Sequence, residues 1–245
     1  MSLPPLEERY AAVKAAVADA CRAAGRQPGD VTLVAVSKLH PVEAVAAVAR
    51  LGQRDFGENY VQEALAKQAA PLWAAGGACG DLSVRWHMIG HVQSRKAPLV
   101  AGVFACIHSL DSRKLADGME RKLAAEDARQ PVLIEVNVGG EEQKSGVRPQ
   151  NLAEFAEYTV ENCPHLELRG LMCLPPVFDA GEKARPHFAR LRELAQMLRP
   201  RLGLPLPELS MGMSGDFAAA IAEGATTVRI GTGIFGPRPQ KTAAR

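Results

Sequence analysis

Eight short apolar runs recur along this chain with helix-spaced segments between them, and that alternation restricts the fold more than any other feature. The runs fall near 31–37, 54–57, 84–89, 104–110, 131–138, 166–174, 208–213 and 226–230. Helical spacing marks 41–51, 58–69, 94–100, 112–128, 149–162, 182–201 and 216–223, with a further amphipathic helix at 6–24 ahead of the first run. Strands that alternate with helices form parallel sheets, because each helix carries the chain back to the start of the next strand. VTLVAVS (31–37) is β-branched and continuously apolar, as a strand covered on both faces must be. A doubly wound open sheet also satisfies the alternation. Eight units within 245 residues are the proportions of a closed barrel. The expected fold is therefore a single α/β domain over 1–245, a (β/α)8 TIM-type barrel with an extra N-terminal helix. The glycine-rich stretch 74–81 is expected to be a loop, and the tail after Pro237 to be frayed.

Composition enters mainly through what it excludes. A net charge of +2 offers no electrostatic case for nucleic acid or a membrane surface. MSLPPLEERY lacks the basic-then-apolar pattern of a secretory signal, and no uncharged apolar stretch has the length of a membrane span. The five cysteines are scattered without a C-x-x-C pair. They read as buried reduced thiols rather than a disulfide framework or zinc site, and a cytoplasmic setting is expected.

In an α/β barrel the working residues sit at the C-terminal ends of the strands. The first run delivers Lys38 there. Burial favours a neutral amine, the form that attacks an aldehyde, although a lysine at this position also has the option of snorkelling to the rim. After the last run stands Gly231-Thr232-Gly233. Glycine lets backbone approach a ligand, and a short helix opening here would present free N–H groups to a phosphate; a plain glycine turn is the alternative. The seventh run adds hydroxyls at Ser210 and Ser214. If the barrel closes, the last strand lies beside the first, so amine and cup become neighbours across the mouth. That pairing suits a phosphorylated aldehyde, with the phosphate as anchor and the carbonyl carbon held as an imine. Arg229, two residues before the cup, is placed to face the same interior, either toward a pyridine nitrogen or paired with a carboxylate.

Other motifs are weaker. The 139–146 loop mimics a phosphate-binding Walker sequence but has Gln143 where glycine is required, and no G-x-G-x-x-G follows the first run. His87 and His91 have the spacing of helical metal ligands but flank a strand end, so no metal is expected. Met172 has the shape to pack on a flat ring, or simply in the core.

Seven segments carry a resemblance: AVSKLHP (35–41), FGENYVQE (56–63), WHMIGHVQSRK (86–96), KSG (144–146), RGLM (169–172), LSMGMSGDF (209–217) and VRIGTGIFG (228–236). In order and spacing, over about 30–238, they resemble the pyridoxal-phosphate homeostasis proteins, single-domain relatives of the alanine racemase barrel. The resemblance implies pyridoxal 5′-phosphate (PLP) held as a Schiff base on Lys38. It implies phosphate contacts at Ser210, Gly231 and Thr232, and Arg229 near the ring nitrogen. Asn59 and Met172 lie in its pocket motifs. It further implies a cytoplasmic monomer that buffers PLP, supplies it to apo-PLP enzymes and influences amino-acid and keto-acid balance without catalysing a reaction. His91 and Arg95 depart from the pattern, where a less bulky residue and an asparagine are usual.

The alternative is an amino-acid racemase. Two-faced racemisation needs a base on each side of Cα, and in the related racemases the second is a tyrosine from an additional β-domain. That domain is not expected here, and of Tyr10, Tyr60 and Tyr158 only Tyr60 lies near a strand end. A charged Arg229 would also keep the pyridine nitrogen unprotonated and the ring a weak electron sink.

Overall fold

In a computed structural model, described here for residues 3–176 and 178–237, eight parallel strands close into a barrel in sequence order. They are β1 (Thr32–Val36), β2 (Asp55–Glu58), β3 (Arg85–Met88), β4 (Cys106–Leu110), β5 (Gln130–Val136), β6 (Leu166–Cys173), β7 (Glu208–Ser210) and β8 (Thr227–Ile230). The helices are α1 (Leu6–Ala23), α2 (Val42–Arg50), α3 (Val61–Gln68), α4 (Ala97–Val100), α5 (Arg113–Glu126), α6 (Leu152–Asn162), α7 (Arg185–Leu202), α8 (Phe217–Ala222) and α9 (Thr232–Phe235). The open-sheet alternative is excluded by the pairing of β1 with β8, in which Thr32, Leu33, Val34 and Ala35 face Thr227, Val228, Arg229 and Ile230.

The helix at the start is less an addition than a replacement. Helices α2 to α8 follow β1 to β7, but among the described residues β8 is followed only by the four-residue α9. Helix α1 packs against α8, α9 and α2, and so fills the place of the eighth helix. Tyr10, Val17 and Cys21 are its buried stripe.

Most of the core lies between the strands and the helix ring, with Phe56, Ile107, Leu115, Met119, Phe188 and Leu191 fully buried there. A small separate cluster of Cys106, Leu133 and Met172 joins β4, β5 and β6. All five cysteines are buried free thiols.

Two boundaries differ from expectation for local reasons. The segment 94–100 begins as a 3-10 turn and becomes α4 only at Ala97, which puts Pro98 in the first helical turn where its missing N–H costs nothing. The seventh run leaves the regular ladder after Ser210, because Gly212 takes φ +96 and bends the chain. The 74–81 stretch is a series of turns, as expected, and the expectation for the tail after Pro237 lies outside the described residues.

Candidate functional site

At the C-terminal ends of β1, β2, β3, β6, β7 and β8 lies a cavity of about 340 Å³. Lys38, Asn59, Ser214, Gly215, Arg229, Gly231 and Thr232 bring polar atoms to its wall, and Val36, Ile89, Leu174 and Met213 bring apolar ones. Lys38 and the glycine turn thus share one wall, as strand closure requires. The close approach is specific to glycine: a Cβ on Gly231 would stand 3.0 Å from the Val36 carbonyl oxygen.

The turn carrying Lys38 is held from both sides. Leu39 adopts φ +65, a left-handed conformation that costs a leucine energy and persists only where its surroundings impose it. The surroundings are three ionised side chains. Lys67 on α3 is buried and donates to Glu58 and Glu63, each at 2.7 Å, and to the Ser37 carbonyl at 2.7 Å. Glu63 in turn accepts the Leu39 N–H at 2.6 Å, and Glu58 accepts the Ser37 hydroxyl at 2.6 Å. The backbone groups on either side of Lys38 are therefore anchored to one ion cluster. Burial raises the Glu58 pKa, opposed by the Lys67 and Ser37 hydrogen bonds.

Beside Lys38 on the same wall lies a cup. Thr232 and Gly233 open α9, so their N–H groups have no acceptor within the helix. A Cβ on Gly233 would lie 3.9 Å from the Ser214 hydroxyl, which brings the β7–α8 loop to the same spot. Gly215 borders the cavity with open space where its Cβ would be. The His40 ring stacks on Phe235 at 5.1 Å between centroids, tying the loop after β1 to α9.

Arg229 is buried against the cavity floor. Its guanidinium donates to the Ser210 hydroxyl at 2.5 Å and to the Cys173 carbonyl at 2.9 Å. Burial lowers its pKa, with Cys173, Glu135 and Asp216 pulling the other way, and a guanidinium remains charged at neutral pH. Asn59 supplies the clearest sign of a missing partner: its Oδ1 is buried and accepts no hydrogen bond from the protein. An amine, an orphaned acceptor, a buried cation and an N–H cup around one small cavity fit a flat, phosphorylated aldehyde.

Two of the expected residues are not on the wall. Ser210 is fully buried inside the barrel, where it meets Arg229 and His108 rather than the cavity. Ser214, four residues on, holds the wall position. Met172 packs with Cys106 and Leu133, and Leu174 takes the wall position above it. His87 and His91 diverge. His87 turns inward to Asp55 and His108, while His91 pairs with Asp111 at 2.9 Å on the rim. Among the described residues no three potential ligands form a metal site. Arg95, the other departure, is exposed and donates to Gln93 at 3.2 Å. Among the described residues no tyrosine lines the cavity: Tyr60 is 51% exposed, Tyr10 bonds Gln53, and Tyr158 bonds Asp117.

The alanine racemase N-terminal domain model matches residues 10–239. Two proteins named pyridoxal phosphate homeostasis protein align with nearly the whole chain. That of Aquifex aeolicus is 44% identical, covering 94% of this chain and 97% of its own. That of Pseudomonas aeruginosa is 46% identical, covering 95% and 96%. The chain belongs to the pyridoxal phosphate homeostasis family. Among solved structures, PipY of Synechococcus elongatus with PLP bound superposes with a TM-score of 0.79 at 34% identity, over 95% of this chain and all of that one. The family's barrel and the N-terminal helix expected from the sequence are thus both present. No helix among the described residues is long and apolar enough to cross a membrane.

Proposed function

We propose that this protein binds PLP as a Schiff base on Lys38 and acts as a non-catalytic carrier and regulator of the cofactor. The observation that carries the reading is the shared cavity: β1–β8 pairing sets the Lys38 amine and the Gly231–Thr232 turn on one wall. In this reading the opening amides of α9, with Ser214 and Thr232, take the phosphate. Arg229 faces the ring nitrogen, Asn59 supplies its unpartnered oxygen to a polar substituent of the ring, and Ile89 and Leu174 flank the ring. The cofactor's own contribution is an aldehyde that captures amines and an aromatic system that can delocalise charge. The protein restrains the second property. Arg229 stays cationic, so the ring nitrogen beside it remains unprotonated and the ring a poor electron sink.

The absence of a tyrosine from the described cavity wall supports a carrier over a racemase, since no side chain there matches the second base. The reading extends to a cytoplasmic monomer that hands PLP to apo-PLP enzymes and so affects amino-acid and keto-acid balance. An absorption scan of wild type and Lys38→Ala, each mixed with PLP, tests it. Wild type is expected to show a band near the violet edge that borohydride fixes covalently, and the variant to lose it while keeping its far-UV circular dichroism. A covalent adduct persisting in Lys38→Ala would assign the imine to another lysine. Rapid racemisation of amino acids that depends on Lys38 would replace the carrier by an enzyme.

A further inference from the structure

A continuous hydrogen-bonded chain crosses the barrel interior beneath the cavity. Arg229 on β8 donates to Ser210 on β7 at 2.5 Å, and Ser210 lies 2.8 Å from His108 Nδ1 on β4. His108 Nε2 lies 3.0 Å from His87 Nδ1 on β3, and His87 Nε2 lies 2.9 Å from Asp55 on β2. Asp55 also accepts from Arg85 at 2.7 and 2.5 Å. Contacts between β4 and β7, on opposite sides of the ring, are possible only through the middle. The far end opens into a second cavity, of about 670 Å³, which Asp55, Arg85 and His87 line together with Asp30, Glu167 and Glu208.

The proton positions follow from the ends. A carboxylate only accepts, so His87 carries its proton on Nε2 and directs it at Asp55. Among the described contacts the Ser210 hydroxyl meets one acceptor, His108 Nδ1, and donates to it, so the His108 ring carries its proton on Nε2 and His87 Nδ1 accepts it. Ser210 has no other proton, and its oxygen accepts from Arg229. Every donor points from Arg229 toward Asp55. Burial holds the His108 pKa well below the usual range, with the Arg229 charge adding to the effect, in keeping with a neutral ring.

We propose that His108, His87 and Ser210 are positioning residues, a one-way chain that fixes the Arg229 guanidinium at the cavity floor. This assigns Ser210 a role different from the phosphate contact expected for it. The consequence for PLP rests on the functional reading above, but the chain itself does not, and the two fail separately.

The six histidines keep a nitrogen-15 NMR spectrum tractable. In the protein without added PLP at neutral pH, both His87 and His108 are expected as Nε2–H tautomers. Ser210→Ala removes the donor to His108 Nδ1. It is expected to mix the His108 tautomers and to weaken PLP retention about ten-fold, the size of one hydrogen bond to a charged group. His108→Gln, which keeps an acceptor and a donor on one amide, is expected to restore most of that affinity relative to His108→Phe. A His108 proton on Nδ1 in wild type would overturn the chain's direction. Unchanged His108 signals in Ser210→Ala, with PLP lost, would return Ser210 to the phosphate. Altered signals with undiminished PLP affinity would leave the chain without a positioning role. Failure of wild type to bind PLP would end the functional reading while leaving the tautomers to be judged independently.

Discussion

Two regions of this molecule bury charge, and they do so by different means. Beneath the Lys38 turn, between sheet and helix ring, Lys67 touches Glu58 and Glu63 directly. Inside the barrel, Arg229 and Asp55 are also opposite in sign but are joined only through Ser210, His108 and His87. Direct contact grips backbone: it holds Ser37 and Leu39, and through them a strained residue beside the amine. A relay of neutral groups instead holds a side chain at a distance and leaves Arg229 with no carboxylate in direct contact. Glu135 is a second charge buried in the interior. Its pKa is raised to about 7 by burial and by Asp111, against the pull of Arg229.

Three variants sharpen or break this contrast. The largest effect is expected from Lys67→Met. It leaves Glu58 buried beside an uncompensated neighbour and should cost about 3–5 kcal/mol in denaturant unfolding. A cost near zero would mean that the cluster does not hold the turn.

Glu135→Gln is expected to act with the opposite sign and only at high pH. A folded pKa above the unfolded one means that folding favours the protonated carboxyl. That advantage is present below the unfolded value of 4.5 and is lost as pH rises through about 7. The variant should therefore match wild type near pH 4, and exceed its stability at pH 8.5 by roughly 3 kcal/mol at most. Parallel pH profiles for the two proteins would show that Glu135 has a compensating partner and that the interior resembles the cluster after all.

The smallest effect is expected at the rim, where neither device operates. Ser214→Ala with Thr232→Ala removes two exposed hydroxyls and should weaken PLP retention about ten-fold, from hydrogen bonds of about 0.5–1.5 kcal/mol each, with the imine to Lys38 still forming. Unchanged affinity would count against the cup.

How far the sequence could be read follows the same division. The barrel was legible from its alternation, because period and strand count are properties of the chain itself. That Lys38 and Gly231-Thr232 would border one cavity was legible because each directly follows a buried strand at the end of the barrel where the cavity lies. Ser210 and Met172 lie one layer below the cavity wall. Both sit within strands and face the barrel interior, whereas Ser214 and Leu174, beyond the strand ends, reach the cavity. The bend at Gly212, which separates Ser210 from Ser214, has no signal beyond the glycine itself. The interior chain was not legible at all. Spacing associates His87 with His91, yet its partners are His108 and Asp55, which neighbour it only once strands pair. The Glu63–Lys67 pair has ordinary helix spacing, and nothing in the sequence distinguishes a buried pair from a solvated one.

The seam between β1 and β8, covered by α1, gives the molecule an order of assembly. Amine and cup come from segments nearly two hundred residues apart, and the earliest helix waits for the latest strand before it has a surface to cover. Contacts of such long separation form slowly. A nascent polypeptide acquires the cavity only at the final closure, so an incompletely synthesised copy has the lysine without the pocket.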